Sequence, residues 1–87
     1  MRELPSNLPR QIETTSGRSA VLYWRVNADG WYFCDLNAKT VPMVRITTNW
    51  RTGVTEVADV DRLGRCSNWE RYESLALALR FYGWRIP

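Results

Sequence analysis

Residues 22–36 read LYWRVNADGWYFCDL, which is two apolar-rich runs separated by Asn27-Ala28-Asp29-Gly30. Asn at the first position and Gly at the fourth favour a type I turn whose Gly is left-handed and forms a bulge. The predicted hairpin has Asn27 opposite Trp31, Val26 opposite Tyr32, Arg25 opposite Phe33, Trp24 opposite Cys34 and Leu22 opposite Leu36. A tight two-residue turn would instead set Leu22 against Asp35, so the continuous apolar match favours the bulged register.

Two further segments end in Gly in the same way. Trp50-Arg51-Thr52-Gly53 predicts a hairpin with Trp50 opposite Val54, Thr48 opposite Glu56, Ile46 opposite Ala58, Arg45 opposite Asp59 and Val44 opposite Val60. Upstream, Thr14-Thr15-Ser16-Gly17 predicts a turn that sets Ile12 against Ala20. Pro5 and Pro9 confine any first strand to an edge, so residues 1–17 are expected to form an N-terminal arm or an edge strand.

The spacing of apolar residues changes after Gly64, from the alternation typical of strands to the intervals of three and four typical of a helix. Ser67 followed by Glu70 is typical of a capping box, and apolar residues then recur at intervals of three and four up to the stop at Gly83. A helix over 67–83 is therefore expected to cover one face of an antiparallel sheet spanning 18–63, in which the short connection 37–42 joins neighbouring strands. The predicted fold is a single α+β domain over 1–87, with a four- or five-stranded antiparallel β-meander under one C-terminal helix.

Composition narrows the class of protein. A chain of 87 residues with 45% hydrophobic and 24% charged residues fits a soluble globular domain, and no apolar run is long enough to cross a bilayer. The start of the chain lacks the apolar stretch of a secretory signal, so we expect a cytoplasmic protein without membrane contact. Two cysteines, Cys34 and Cys66, without any His are too few for a zinc site, so reduced thiols and no metal are expected.

Eleven of the twelve basic residues are Arg, and five residues are Trp. Arg and Trp commonly dominate the energy of protein contacts, although a GC-rich genome would also favour Arg. Strand alternation predicts that the sheet face turned away from the helix displays Tyr23, Arg25, Trp31, Phe33, Asp35, Arg45, Thr47 and Val57. Either this face binds a partner, or the N-terminal arm or a strongly coiled sheet covers its rings.

Two other surfaces are candidates. Leu77 and Phe81 lie four residues apart on the predicted helix, away from its main apolar stripe, where they can dock a partner or a second copy of the chain, or be buried under residues 1–12. Basic residues cluster at the predicted helix entrance, which suggests a weak anion or phosphate site or ordinary ion pairs with nearby carboxylates: Arg62, Arg65 and Arg71.

Catalysis has little support in the sequence. The absence of His excludes the usual nucleophilic triads, and no Gly-rich phosphate loop is present, so we expect neither an enzyme nor a cofactor. Nucleic-acid binding is the alternative, because a sheet that displays Arg and aromatic residues can stack bases or enter a groove. The nine acidic residues interleaved with the basic ones argue against a strong phosphate grip.

The sequence favours a stand-alone protein-binding domain that acts stoichiometrically as an inhibitor or modulator of a larger complex. The proposed contact residues are Tyr23, Arg25, Trp31, Phe33, Arg45, Leu77 and Phe81. Small chains without catalytic motifs are typical of phage and mobile-element proteins that block host machinery, including anti-CRISPR proteins. The similarity of this chain to such phage proteins is one of size and composition alone. The alternative is a small sheet-based nucleic-acid-binding module.

Overall fold

The protein is described from a computed structural model covering residues 8–36 and 43–87. The elements are β1 (Gln11–Glu13), β2 (Ser19–Val21), β3 (Arg25–Val26), β4 (Tyr32–Leu36), β5 (Met43–Thr48), β6 (Thr55–Val60), β7 (Cys66–Tyr72) and α1 (Leu75–Phe81). Strands β3 to β7 form a five-stranded antiparallel sheet in sequence order, and β1 pairs with β2 in a small separate sheet. The predicted α+β fold with an antiparallel meander and a C-terminal helix is confirmed. Residues 1–7 of the predicted arm and the predicted connection 37–42 lie outside the described residues.

The turn at Asn27 has the predicted geometry. Gly30 has a φ of 84°, and Asn27 Oδ1 accepts hydrogen bonds from the backbone N–H groups of Asp29 and Trp31. The pairs Arg25 with Phe33 and Val26 with Tyr32 are confirmed. The ladder ends there, so the predicted pairs that involve Trp24 and Leu22 do not form; the Leu22 N–H instead donates to the carbonyl of Arg10.

The hairpin between β5 and β6 is shifted by one residue from the prediction. Asn49, rather than Trp50, opens the turn: its N–H donates to the Val54 carbonyl, and its side-chain oxygen accepts from the N–H groups of Arg51 and Thr52. The observed pairs are Met43 with Val60, Val44 with Asp59, Arg45 with Ala58, Ile46 with Val57, Thr47 with Glu56 and Thr48 with Thr55. The predicted pairing of Arg45 with Asp59 is therefore wrong.

This shift moves Val57 to the helix side of the sheet. Val57 was expected on the face turned away from the helix, but it belongs to the buried core with Ile46. Thr48 and Thr55 are also buried on this side, where the Thr55 hydroxyl donates to the Thr48 hydroxyl at 3.0 Å. The hydrogen bond compensates for burying two polar side chains in the core.

The first half of the predicted helix is a strand. Residues Cys66–Tyr72 pair with β6, because Asp61 and Gly64 build another tight turn in which Asp61 Oδ1 accepts from the N–H groups of Leu63 and Arg65. The predicted capping box at Ser67 is therefore wrong. Helix α1 begins only at Leu75, where the Ser74 hydroxyl caps it by accepting from the Leu77 N–H.

The core lies between the sheet and α1. Leu75, Ala78 and Leu79 of the helix share one buried cluster with sheet residues such as Tyr32 and Ile46. Leu8 and Ile12, from the arm and β1, join the same cluster, and Ile12 pairs with Ala20 as predicted. The described part of the arm therefore packs on the helix side, and the other sheet face carries the polar and aromatic residues.

No helix within the described ranges combines the length and the apolar character required to cross a lipid bilayer.

Candidate functional site

The sheet face opposite α1, called the outer face below, centres on the ring of Phe33. The guanidinium carbons of Arg25 and Arg45 lie 4.8 and 5.2 Å from the centroid of this ring. The two arginines reach it from different sides of β4, because Arg25 is directly opposite Phe33 on β3 and Arg45 lies on β5. Each such contact contributes about 0.5–1 kcal/mol at an exposed site. Antiparallel register therefore places two cations on one aromatic ring.

Asp35 forms ion pairs with both arginines, and the pair with Arg45 is the closer one. Arg45, directly opposite it on β5, donates from Nε to Oδ1 at 2.7 Å and from Nη2 to Oδ2 at 3.1 Å. Arg25 makes a single contact with the same carboxylate at 3.5 Å. The Arg45 side chain is only 24% exposed, against 61% for Arg25, so the first pair is the better shielded from water.

The surroundings of Arg45 keep its charge fixed. The hydrogen bond to Asp35 raises the pKa of Arg45 above its ordinary value, although burial of the guanidinium acts in the opposite direction. Arg45 Nη1 also donates to the Cys66 sulfur at 3.6 Å. The guanidinium is therefore anchored on three sides, by a carboxylate, a ring and a thiol.

Beside this cluster the outer face forms a trough, a surface concavity of about 580 Å³ lined by Asn27, Asp29, Trp31, Thr47, Glu56 and Trp69. Thr47 and Glu56 are paired residues of the neighbouring interior strands β5 and β6. Trp69 projects from the edge strand β7, and Trp31 follows the turn at Asn27. The trough therefore combines two indole rings with two carboxylates.

A bulge in β7 sets the position of Trp69. Between the pairs Val57 with Glu70 and Asp59 with Ser67, β7 carries one residue more than β6. Asn68 occupies this bulge with a φ of 56°, and its side-chain N–H donates to Asp59 at 2.9 Å. Asn tolerates the left-handed region better than most residues, so the local sequence suits the bulge. Trp69 is left 50% exposed.

The predicted contact residues fall into two separate groups. Arg25, Phe33 and Arg45 form the ring cluster, Trp31 lines the trough, and Tyr23 is 79% exposed on the segment that precedes β3. Leu77 and Phe81 lie on α1, on the helix side of the sheet, and are not part of the outer face.

Leu77 and Phe81, called the helix ridge below, are both exposed. The Phe81 ring contacts Tyr72 at a centroid distance of 5.9 Å and Tyr82 at 5.3 Å. Both tyrosines pack against the core. The helix ridge is therefore an apolar surface supported from beneath, and the alternative that residues 8–12 bury it is not observed.

The three arginines of the predicted anion site are not at a helix terminus. Arg65 forms an ion pair with Asp61 at 2.9 Å inside the turn, and Arg71, on β7, is 3.6 Å from Glu56. Because α1 begins at Leu75, the argument from free helix N–H groups does not apply to Arg62, Arg65 or Arg71. Ion pairing, the alternative interpretation, accounts for Arg65 and Arg71.

The two cysteines lie on different faces. Burial, assisted by the neighbouring Asp35 carboxylate, raises the pKa of Cys34 to about 12. This thiol stays protonated near neutral pH and is therefore a poor nucleophile. Cys66 is partly exposed on β7. In residues 8–36 and 43–87, no group of three or more His, Cys, Asp or Glu side chains is arranged to hold a metal.

Sequence reasoning placed Trp31 and Thr47 on this face but missed the four other residues that line the trough: Asn27, Asp29, Glu56 and Trp69. Trp69 falls within the predicted helix over 67–83, and Glu56 was predicted opposite Thr48 instead of Thr47. The sequence does contain a signal for strand β7, because Asp61 and Gly64 repeat the spacing of Asn27 and Gly30 and so predict another hairpin turn. Comparisons with protein-family models, with curated proteins and with solved structures found no match.

Proposed function

We propose that this chain is a non-enzymatic protein-binding domain that acts stoichiometrically, as an inhibitor or modulator of a larger complex, and that the outer face is its contact surface. The observation that carries the proposal is the Phe33 ring with two guanidinium groups over it, one of which, Arg45, is held by two hydrogen bonds to Asp35. Side chains fixed before binding lose little conformational freedom when a partner arrives. Arg and aromatic residues of this kind are the usual energetic centres of protein interfaces.

The layout of the molecule supports the outer face over the core side as the binding surface. The sheet buries its other face under α1 with Leu75, Ala78 and Leu79, so the outer face is not needed to close the core. Trp31, Phe33 and Trp69 nevertheless lie on it and retain solvent exposure. A cluster of rings that the core does not use is best explained by a partner.

Nucleic-acid binding is the weaker candidate on the same face. Three carboxylates, Asp29, Asp35 and Glu56, lie among the rings and arginines. Asp35 offsets one of the two positive charges of Arg25 and Arg45, and the carboxylates that line the trough would repel a phosphate backbone. A role as a phage or mobile-element protein of the anti-CRISPR kind remains part of the proposal, as a biological setting in which a small stoichiometric blocker acts.

The proposal is tested by copurification from bacterial lysate treated with nuclease, followed by the masses of the recovered complex. We expect one defined protein complex with a fixed stoichiometry. Arg25→Ala or Trp31→Ala should weaken it by about tenfold or more. The matched control is Phe81→Ala, which removes an exposed ring from the helix ridge instead and should leave binding unchanged.

Thermal melts of the same variants complete the test. Arg25 and Trp31 do not belong to the buried core, so each variant should lose no more than about 1 kcal/mol of stability and melt within about 4–8 °C of the parent chain. Loss of the complex in Phe81→Ala alone would move the contact surface to the helix ridge. Retention on DNA that weakens steeply with salt, without a protein complex, would favour the nucleic-acid alternative.

A further inference from the structure

The trough differs in charge from the rest of the chain. The chain carries a net charge of +3, yet the six residues that line the trough include two carboxylates, Asp29 and Glu56, and no basic residue. Its other polar members are Asn27 and Thr47, which are uncharged. The local charge is therefore opposite in sign to the charge of the whole chain.

Both carboxylates are available to a ligand. Asp29 makes no ion pair within the described residues. Glu56 is paired only with Arg71 there, at 3.6 Å, and the Arg71 side chain is 71% exposed. Such a loose pair on the surface contributes little and is easily exchanged for another cation. Asp35, in contrast, is already committed to Arg45, which donates a hydrogen bond to each of its carboxylate oxygens.

The walls of the trough are also suited to a cation. Trp31 and Trp69 lie on opposite sides of strands β5 and β6: Trp31 immediately precedes β4, and Trp69 belongs to β7. Indole is the side chain whose ring face attracts cations most strongly. Aromatic rings next to carboxylates are the chemistry that recognises an ammonium or guanidinium group.

We infer that the trough receives a basic side chain, Lys or Arg, presented by the protein partner of the outer face. The volume of about 580 Å³ accommodates such a side chain together with its flanking backbone. The cation lies over Glu56 and near Asp29, and its methylene stem packs on the indoles of Trp31 and Trp69. This inference depends on the proposed function for the source of the cation, but the chemistry of the trough can be tested alone.

The experiment follows the indole N–H signals of the five tryptophans by NMR during titration with a short peptide. The probe is N-acetyl-Gly-Lys-Gly-amide, and the control probe is the norleucine peptide, which has a similar apolar stem without the charge. We expect saturable shifts at Trp31 and Trp69 with the lysine peptide, and clearly smaller ones with norleucine. Trp31→Phe and Trp69→Phe assign the two signals.

Carboxylate variants supply the second arm. The double variant Asp29→Asn/Glu56→Gln should weaken binding of the lysine peptide by about fivefold or more, because two charge contacts are lost. Glu73→Gln, which removes an exposed carboxylate outside the trough, is the matched control and should leave binding unchanged. Raising the salt concentration should weaken binding of the lysine peptide only.

The inference is overturned if no saturable shift appears, if norleucine shifts the two signals equally, or if the double variant binds lysine as the parent does. These outcomes are separable from failure of the proposed function. A partner complex that depends on Arg25 but survives Asp29→Asn/Glu56→Gln leaves the function standing and contradicts the inference. Binding of the lysine peptide in the trough without any partner complex leaves the inference about the trough standing and contradicts the proposed function.

Discussion

The ion pair between Asp35 and Arg45 gives the most quantitative prediction. Its two hydrogen bonds measure 2.7 and 3.1 Å, and the side chains are 23% and 24% exposed. Charged hydrogen bonds contribute about 1.5–3 kcal/mol when shielded, and exposed pairs about 0.2–1 kcal/mol. For a pair that is about three-quarters buried, we expect a coupling free energy of roughly 1–2 kcal/mol in a double-mutant cycle.

The cycle uses Arg45→Met and Asp35→Ala, with the free energy of unfolding measured in urea. Met keeps an apolar stem near Phe33 and removes the charge. The matched cycle pairs Asp35→Ala with Arg25→Met, which removes a single contact at 3.5 Å from an arginine that is 61% exposed. Its coupling should stay below about 0.5 kcal/mol. Equal coupling in the two cycles, or no measurable coupling for Arg45, would refute the claim that Arg45 is the anchored cation.

Three further predictions concern the scaffold. Trp24 and Trp84 are both buried, and within residues 8–36 and 43–87 the Trp24 indole N–H donates to the Pro9 carbonyl, whereas the Trp84 indole N–H finds no acceptor. Trp24→Phe should therefore cost about 1 kcal/mol more in unfolding free energy than Trp84→Phe, and equal costs would contradict this. Asn68 has a φ of 56°, which Gly adopts more readily than Ala. The free energy of unfolding in urea should therefore be about 1 kcal/mol higher for Asn68→Gly than for Asn68→Ala, and the reverse order would refute the bulge. Burial raises the pKa of Cys34 from 9.0 to about 12, so the unfolded chain loses the thiol proton at a lower pH than the folded chain does. The free energy of unfolding should therefore fall as the pH rises above about 9, by up to roughly 1.4 kcal/mol per pH unit. Urea unfolding across this pH range should show a shallower decline in Cys34→Ala, and an unchanged slope would count against the buried thiol.

The sequence was most informative where a turn has only one reasonable interpretation. Asn27 and Gly30 supply a side-chain acceptor and a left-handed position at fixed spacing, and they determine the register of Phe33 and Arg25. These two residues belong to the ring cluster, so the centre of the outer face could be predicted from the amino-acid sequence alone.

The second hairpin shows why similar turns can mislead. Asn49 and Trp50 precede Gly53 by four and three residues, so either one could open a turn that ends at this Gly. The predicted turn began at Trp50. The side chain of Asn49 accepts two backbone N–H groups, which Trp50 cannot do, and this adds one residue to the loop. A shift of one residue exchanges the two faces of a strand, which is why Val57 was misplaced.

The predicted start of the helix, at residue 67, was wrong for a different reason. Residues 67–72 have polar and aromatic side chains at intervals that fit both a helix and an exposed edge strand, and β7 is exposed along most of both faces. Periodicity cannot separate the two when neither face is buried. Pairing with β6 decides the outcome, and pairing is a long-range contact that local patterns do not contain.

Hydroxyl-radical labelling of the chain, free and in its partner complex, tests the central claim most directly. The outer face is predicted to be the contact surface, so labelling of Trp31, Phe33 and Trp69 should fall on complex formation while Phe81 on the helix ridge labels as before. Protection of Phe81, with the three outer-face rings labelled equally in both states, would contradict the account.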